Sequence, residues 1–300
     1  MARAARTGAR RATATGLLAI VLWSSVVGLI RSVSLGLGAT GGAAMIYTVA
    51  SILLLATVGT GGIRTFPRRY LLLGGALFVS YEVCLALSIG YAATDRQAIE
   101  VGMVNYLWPA LTMAFAILFN GQKSGPLIVP GFALALLGVC RVLGGEQGLD
   151  AAAMLANVRT NPLSYGLAFA GALIWSTYCT VTARIAEGRN GVTLFFMLTA
   201  LVLWSKYLAF GGGTLAFDTR TTICLLLAAA AMGFGYAAWN VGILHGNVTV
   251  LAGASYFIPV LSAALAALVL GAPLPPAFWQ GAAMVCAGSI LCWLATRGRR

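Results

Sequence analysis

The chain has 300 residues, 60% of them apolar and only 9% charged, against about 45–50% and about 25% in soluble domains. Its formal net charge of +12 would point to nucleic acid in a soluble protein, but a chain this apolar is a polytopic membrane protein. Nucleic acid is excluded as a partner; the bilayer and a small molecule remain.

In chain order, Arg3, Arg6, Arg10 and Arg11 lead into a first apolar run. Leu22-Trp23-Ser24 in that run matches Ile174-Trp175-Ser176 much later, which marks it as a retained span and not a cleaved signal peptide. A helix needs about 20 apolar residues to cross a hydrocarbon core. Runs of that kind are expected as spans at 13–32, 38–59, 70–92, 98–119 and 126–144, then at 162–185, 191–210, 221–244, 248–270 and 276–296. They are continuous and do not alternate, so an outer-membrane barrel is a poor reading. The expected fold is all-α, with ten transmembrane helices. A basic tail covers 1–12, a first five-helix unit 13–144, an external connection 145–161, a second unit 162–296 and a basic tail 297–300. Within the connection, the apolar stretch around 151–158 is expected to form a short surface helix.

The two units are copies. Residues 105–140 align without a gap on residues 255–290, and eleven positions are identical, among them Tyr106/Tyr256, Pro109/Pro259, Gly121/Gly271, Pro126/Pro276, Gly131/Gly281 and Gly138/Gly288. Chance would give roughly a tenth in so Ala- and Leu-rich a segment. Five spans is an odd number, so the second copy must enter the membrane from the opposite side, giving the inverted-topology repeat of secondary transporters.

Cations set the orientation. On the side of the N-terminus fall the four leading arginines, Arg64, Arg68, Arg69, Lys123, Arg184, Arg189, Arg297, Arg299 and Arg300. Opposite them fall only Arg31, Arg96, Arg141, Arg159, Lys206 and Arg220. By the positive-inside rule both termini are expected in the cytoplasm.

No residues argue for catalysis: paired acids, a metal-ligand cluster, a phosphate loop and a serine–histidine pair are all missing from the sequence. The six cysteines lie in apolar runs without metal-ligand spacing and read as small apolar residues, so no metal or cofactor is expected. The lone His245 falls at a span end and reads as interfacial.

Pro109 and Pro259 fall inside the fourth and ninth spans, where each removes a backbone bond and frees a carbonyl one turn earlier. Their equivalence points to a paired hinge. Around them Asn105, Tyr106 and Trp108, with Tyr256 opposite, are candidate substrate-binding residues; Asn105, Trp108 and Thr112 share one helix face, and Ser255, Ile258 and Ser262 the equivalent one. Trp23 and Trp175 form a repeat-related pair, and Tyr81, Tyr178, Tyr236, Trp239 and Asn240 add further aromatic and amide groups. The candidate substrate-binding residues are therefore Trp23, Tyr81, Asn105, Tyr106, Trp108, Trp175, Tyr178, Trp239, Asn240 and Tyr256. Trp204, Trp279 and Trp293 read as packing or interfacial residues. Glu82 lies mid-span with no cation within a turn; it is read either as a proton or ammonium site or as a buried carboxyl bonded to neighbouring helices.

The duplicated five-span unit, the Leu22-Trp23-Ser24 and Ile174-Trp175-Ser176 sequences and the paired tyrosine-to-proline stretches resemble the drug/metabolite transporter superfamily, in its ten-helix EamA-type branch. Aromatic residues around Asn105–Pro109, Trp175 and Tyr81-Glu82 resemble the branch's exporters of aromatic amino acids. The resemblance implies alternating access by two inverted repeats in a bacterial inner membrane. Four spans of each half would surround a central cavity, with the fifth and tenth outside it. It also implies export of aromatic and other neutral amino acids and related metabolites. Alternatives are a carrier of cationic drugs or of sugars, or a membrane scaffold or sensor. Monomer and homodimer both stay open.

Overall fold

The computed structural model describes residues 2–211 and 213–296, and among these all regular structure is helical. Helix α1 (Ala2–Leu37) and α2 (Ala39–Thr57) are followed by a π-helical turn (Tyr70–Gly74) that runs into α3 (Gly75–Gly90). Next come α4 (Asp95–Asn105), α5 (Trp108–Asn120), α6 (Ile128–Leu143) and the short α7 (Ala151–Thr160). The remainder is α8 (Pro162–Ile185), α9 (Val192–Phe210), α10 (Thr219–His245), α11 (Val248–Ser255), α12 (Ile258–Leu270) and α13 (Pro276–Thr296). Among the described residues eight stretches are long and apolar enough to cross a bilayer, α4 and α5 together counting as one, while α6 and α12 are shorter apolar helices. The protein is therefore an all-helical, multi-pass membrane protein. The expected tail over 297–300 lies outside the described residues.

Element by element the helices fall where the apolar runs do. Helix α1 runs back through the basic residues as far as Ala2, with no proline to interrupt it before Gly38. Helix starts elsewhere carry side-chain caps: Thr94 on α4, Asp150 on α7, Asn161 on α8, Asp218 on α10 and Asn247 on α11 each accept a bond from a first-turn amide.

The fourth and ninth runs are broken and not merely bent. Residues Tyr106 and Leu107 separate α4 from α5, and Tyr256 and Phe257 separate α11 from α12. Pro109 and Pro259 then sit in the first turn of the second segment, where a missing amide donor costs little. Both second segments end alike, on Gly121 (φ 67°) and Gly271 (φ 64°) in the left-handed conformation that only glycine adopts without strain. That accounts for the identity of these two glycines across the repeat.

Helices α6 and α13 pack on each other. A side chain on Gly138 would meet the carbonyl oxygen of Gly281 at 2.7 Å, and one on Gly288 would meet that of Gly131 at 2.6 Å. Residue numbers rise on one helix as they fall on the other, so the pair is antiparallel, and repeat mates exchange roles across the contact. Neither helix contributes to the cavity described next.

Candidate functional site

The two helix breaks face each other across a cavity of about 270 Å³, enclosed by α1, α3, α4, α8, α10 and α11 together with the starts of α5 and α12. A proline cannot donate to the carbonyl four residues earlier. Pro109 thereby leaves the carbonyl of Asn105 without its helical partner, and Pro259 that of Ser255; both residues line the cavity. Asn105 is 3% exposed and its side-chain Nδ2 donates to the carbonyl of Ala168 on α8 at 3.3 Å, which holds the end of α4 against the second half of the chain. Ser176 of α8 donates to the carbonyl of Trp108 at 3.0 Å, tying the start of α5 to the same helix.

Aromatic rings make the walls. On one side Trp175 packs against Tyr81, ring centres 4.5 Å apart, and meets Trp108 edge-on at 6.4 Å. Opposite, Trp23 of α1 packs on Trp239 at 5.3 Å and on Tyr236 at 5.1 Å, both from α10. Trp23, Tyr81, Asn105, Tyr106, Trp108, Trp175 and Trp239 thus line one space.

Three expected binding residues lie elsewhere. Tyr178 stacks on the back of Trp175 at 4.9 Å and meets Phe78, so it supports the wall from behind. Asn240 is one step around α10 from Trp239, about 100° of rotation, and falls off the lining. Tyr256 is buried and packs towards Trp293 of α13, unlike its repeat mate Tyr106.

The lining also includes Tyr236, Ser255 and Ile258, and the unforeseen Val26, Val27, Leu85, Gly102, Cys179 and Met232. Tyr236 is three residues from Trp239, a spacing that already placed them on one face. The aliphatic members carry no sequence signal that separates a cavity wall from a packed or lipid-facing position.

Glu82 is fully buried behind the wall. The hydroxyl of Tyr236 donates to its Oε1 at 2.7 Å and that of Tyr47, on α2, to its Oε2 at 2.6 Å. The carboxyl does not line the cavity.

A polar layer covers the end of the bundle at which α3 and α4 join. Arg31 pairs with Asp95 (2.8 Å) and donates to the carbonyl of Ala92 (2.6 Å). Glu100 accepts from Arg96 (3.0 Å), Asn157 (3.1 Å) and Tyr165 (2.8 Å), and Asn161 donates to Gln97 (2.9 Å) and to the carbonyl of Tyr91 (2.8 Å). Together these bonds join α1, α4, α7 and α8. At the same end α12 closes on α1, where a side chain on Gly28 would lie 3.0 Å from the Cα of Ala266. Across the repeat, the equivalent pair α5 and α8 leaves a cleft bounded by Phe115, Phe119, Thr177, Val181 and Arg184. Among the described residues no group of His, Cys, Asp and Glu is arranged to hold a metal, and His245 is exposed at the end of α10.

A family model for the EamA-like transporter family matches residues 162–294, from the start of α8 into α13. The aromatic amino acid exporter YddG of Salmonella typhimurium is 63% identical over 97% of this chain and 99% of its own. The protein of that name from Escherichia coli is 62% identical over 96% of this chain and 98% of its own, and the one from Ancylobacter novellus 26% identical over 95% and 98%. One protein solved by crystallography shares the fold, with a TM-score of 0.66 at 23% identity over 96% of this chain and 98% of its own. With such identity to the first two carried along nearly the whole of both chains, the protein belongs to the EamA-like transporter family, and is a multi-pass membrane transporter and not an enzyme.

Proposed function

We propose that the protein exports aromatic and other neutral amino acids across the bacterial inner membrane by alternating access. What carries the reading is the agreement between the name of its 62–63% identical relatives and a cavity walled by Trp23, Trp108, Trp175 and Trp239. Flat rings at 4.5–7 Å centre distances gain from stacking and edge contacts beyond simple burial. An aromatic side chain fits between the Tyr81–Trp175 and Trp23–Trp239 pairs, in a space at the small end of ligand pockets, about 300 Å³. The head group is zwitterionic. Its ammonium finds the freed carbonyls of Asn105 and Ser255 at the negative ends of α4 and α11, and its carboxylate the positive ends of α5 and α12. A permanent cation is served less well, since Glu82 stands behind the wall.

The architecture of this reading is ten spans in two inverted repeats, 13–144 and 162–296, with both termini cytoplasmic. The antiparallel glycine exchange between α6 and α13 supports it, as does a family model that begins and ends with the second unit. On the orientation given by the cations, the Arg31–Asp95 end is external and this conformation is closed there. The halves then rock about the breaks at Pro109 and Pro259, opening one end as the other closes.

Purified protein in liposomes, assayed for flux of labelled phenylalanine, tryptophan and a charged amino acid with and without a pH gradient, tests the proposal. Saturable flux favouring the two aromatics is expected. Flux of none of the three through folded protein would overturn the substrate assignment.

A further inference from the structure

Glu82 has no part in the mechanism so far, yet its position is closely determined. Its carboxyl is fully buried, and the two groups donating to it are the hydroxyls of Tyr47 and Tyr236. The described ion pairs, Arg31–Asp95 and Arg96–Glu100, both lie far along the bundle at the α3–α4 end. The two tyrosines differ in one respect: Tyr236 lines the cavity and Tyr47 does not. The ring of Tyr236 touches Trp23 (5.1 Å), Phe78 (5.6 Å), Phe196 (5.5 Å) and Trp175 (6.2 Å), so its angle decides how both aromatic walls sit. With its hydroxyl drawn back to Glu82, this ring shows hydrocarbon to the cavity. Released, the hydroxyl would turn a donor and an acceptor into an otherwise apolar wall.

We infer that Glu82 is a positioning residue for substrate selection: acting through Tyr236, it sets the shape and polarity of one wall without touching the substrate. The inference rests on the reading of this cavity as the aromatic amino acid site. It differs from a carrier role, in which Glu82 would exchange a proton with each side in turn; here both carboxyl oxygens are engaged by the hydroxyls of Tyr47 and Tyr236.

The test compares phenylalanine and tyrosine uptake by proteoliposomes carrying wild type, Glu82→Leu, Tyr236→Phe, Tyr47→Phe and the double Glu82→Leu/Tyr236→Phe, with melting temperature measured on each. Glu82→Leu should raise KM for phenylalanine about tenfold at nearly constant Vmax and reduce the preference for phenylalanine over tyrosine. Adding Tyr236→Phe should restore much of both, since the stranded hydroxyl is gone, as removal of both partners of a buried bond costs less than removal of one. Tyr47→Phe breaks an equivalent bond to the same carboxyl and should lower the melting temperature while leaving KM unchanged. Should Glu82→Leu fail to fold, the contrast between the two tyrosine variants carries the test: Tyr236→Phe unties the ring that packs on both walls and should raise KM for phenylalanine by the part the double variant does not restore, while Tyr47→Phe should leave it unchanged. Equal KM shifts in those two variants would reduce Glu82 to a structural role and overturn the inference. So would a Glu82→Gln variant that loses its response to a pH gradient while Tyr236→Phe keeps it. Absence of aromatic flux in wild type would remove the site reading and this inference with it, whereas wild-type flux with equal shifts removes this inference alone.

Discussion

Trp175 is clamped between Tyr81 at 4.5 Å and Tyr178 at 4.9 Å, ring centre to ring centre. Pairs of this kind contribute about 0.5–1.5 kcal/mol each beyond area burial. Replacing Trp175 with alanine deletes a stacking surface and lets Tyr81 relax into the space, so KM for tryptophan should rise by about tenfold or more. Equilibrium binding in detergent, by scintillation proximity, checks this apart from transport, and unchanged affinity would remove Trp175 from the site. Trp108 meets Trp175 edge-on and begins the segment that Pro109 opens. Its alanine variant should lose transport or selectivity while keeping the wild-type melting temperature, as measured by flux and thermal unfolding side by side.

At the level of elements, two devices recur at equivalent places in the halves. Each broken span ends on a left-handed glycine, and in each an arginine from another helix takes a carbonyl of the last turn: Arg184 that of Phe119 (2.7 Å) and Arg220 that of Val269 (3.2 Å). Positions 119 and 269 are mates in the alignment of the two copies. Cations at a helix C-terminus satisfy orphan carbonyls and complement the dipole. The second device is the α6–α13 contact, where backbones approach so closely that a Cβ on Gly288 would lie 2.5 Å from the amide of Ala135. Gly288→Leu must push the helices apart and should destabilise the protein by roughly 1–3 kcal/mol. Because neither helix lines the cavity, KM of the surviving folded fraction should stay at the wild-type value; a lowered melting temperature with unchanged KM is the expected pair of readings.

Over the whole molecule, the polar layer at one end and the cleft between α5 and α8 make the two ends unlike. Alternating access needs an equilibrium that each end can bias. Arg31 is a buried cation of the closed end, its side chain 8% exposed and bonded both to Asp95 and to the carbonyl of Ala92. Arg31→Ala should shift the population towards opening at that end. Cys179 lines the cavity and offers a native reporter: in a variant whose only thiol is Cys179, external labelling by a membrane-impermeant reagent should quicken by about fivefold on adding Arg31→Ala, the effect of ~1 kcal/mol. Substrate should slow the labelling. An unchanged rate would mean that Arg31 and Asp95 do not hold the closed state.

Composition, continuous apolar runs and an internal repeat were enough to read a multi-pass helical protein from the sequence, because a bilayer imposes helix length and apolarity on every span separately. Repeat identity also picked out Tyr106 and the two prolines, and Trp108 stood out beside Pro109, since a helix break is written locally. What lay beyond the sequence is which face of each helix meets the cavity. Val26, Leu85 and Met232 look the same in sequence whether they meet lipid, core or substrate, and Tyr256 parted from its mate Tyr106 only because α13 offered it Trp293. Glu82 was legible as an intramembrane carboxyl, but its place behind the wall depends on Tyr47 and Tyr236, which lie 35 and 154 residues away along the chain. Contacts across such separations are set by how helices pack, and in a membrane every helix has several apolar faces that pack almost equally well.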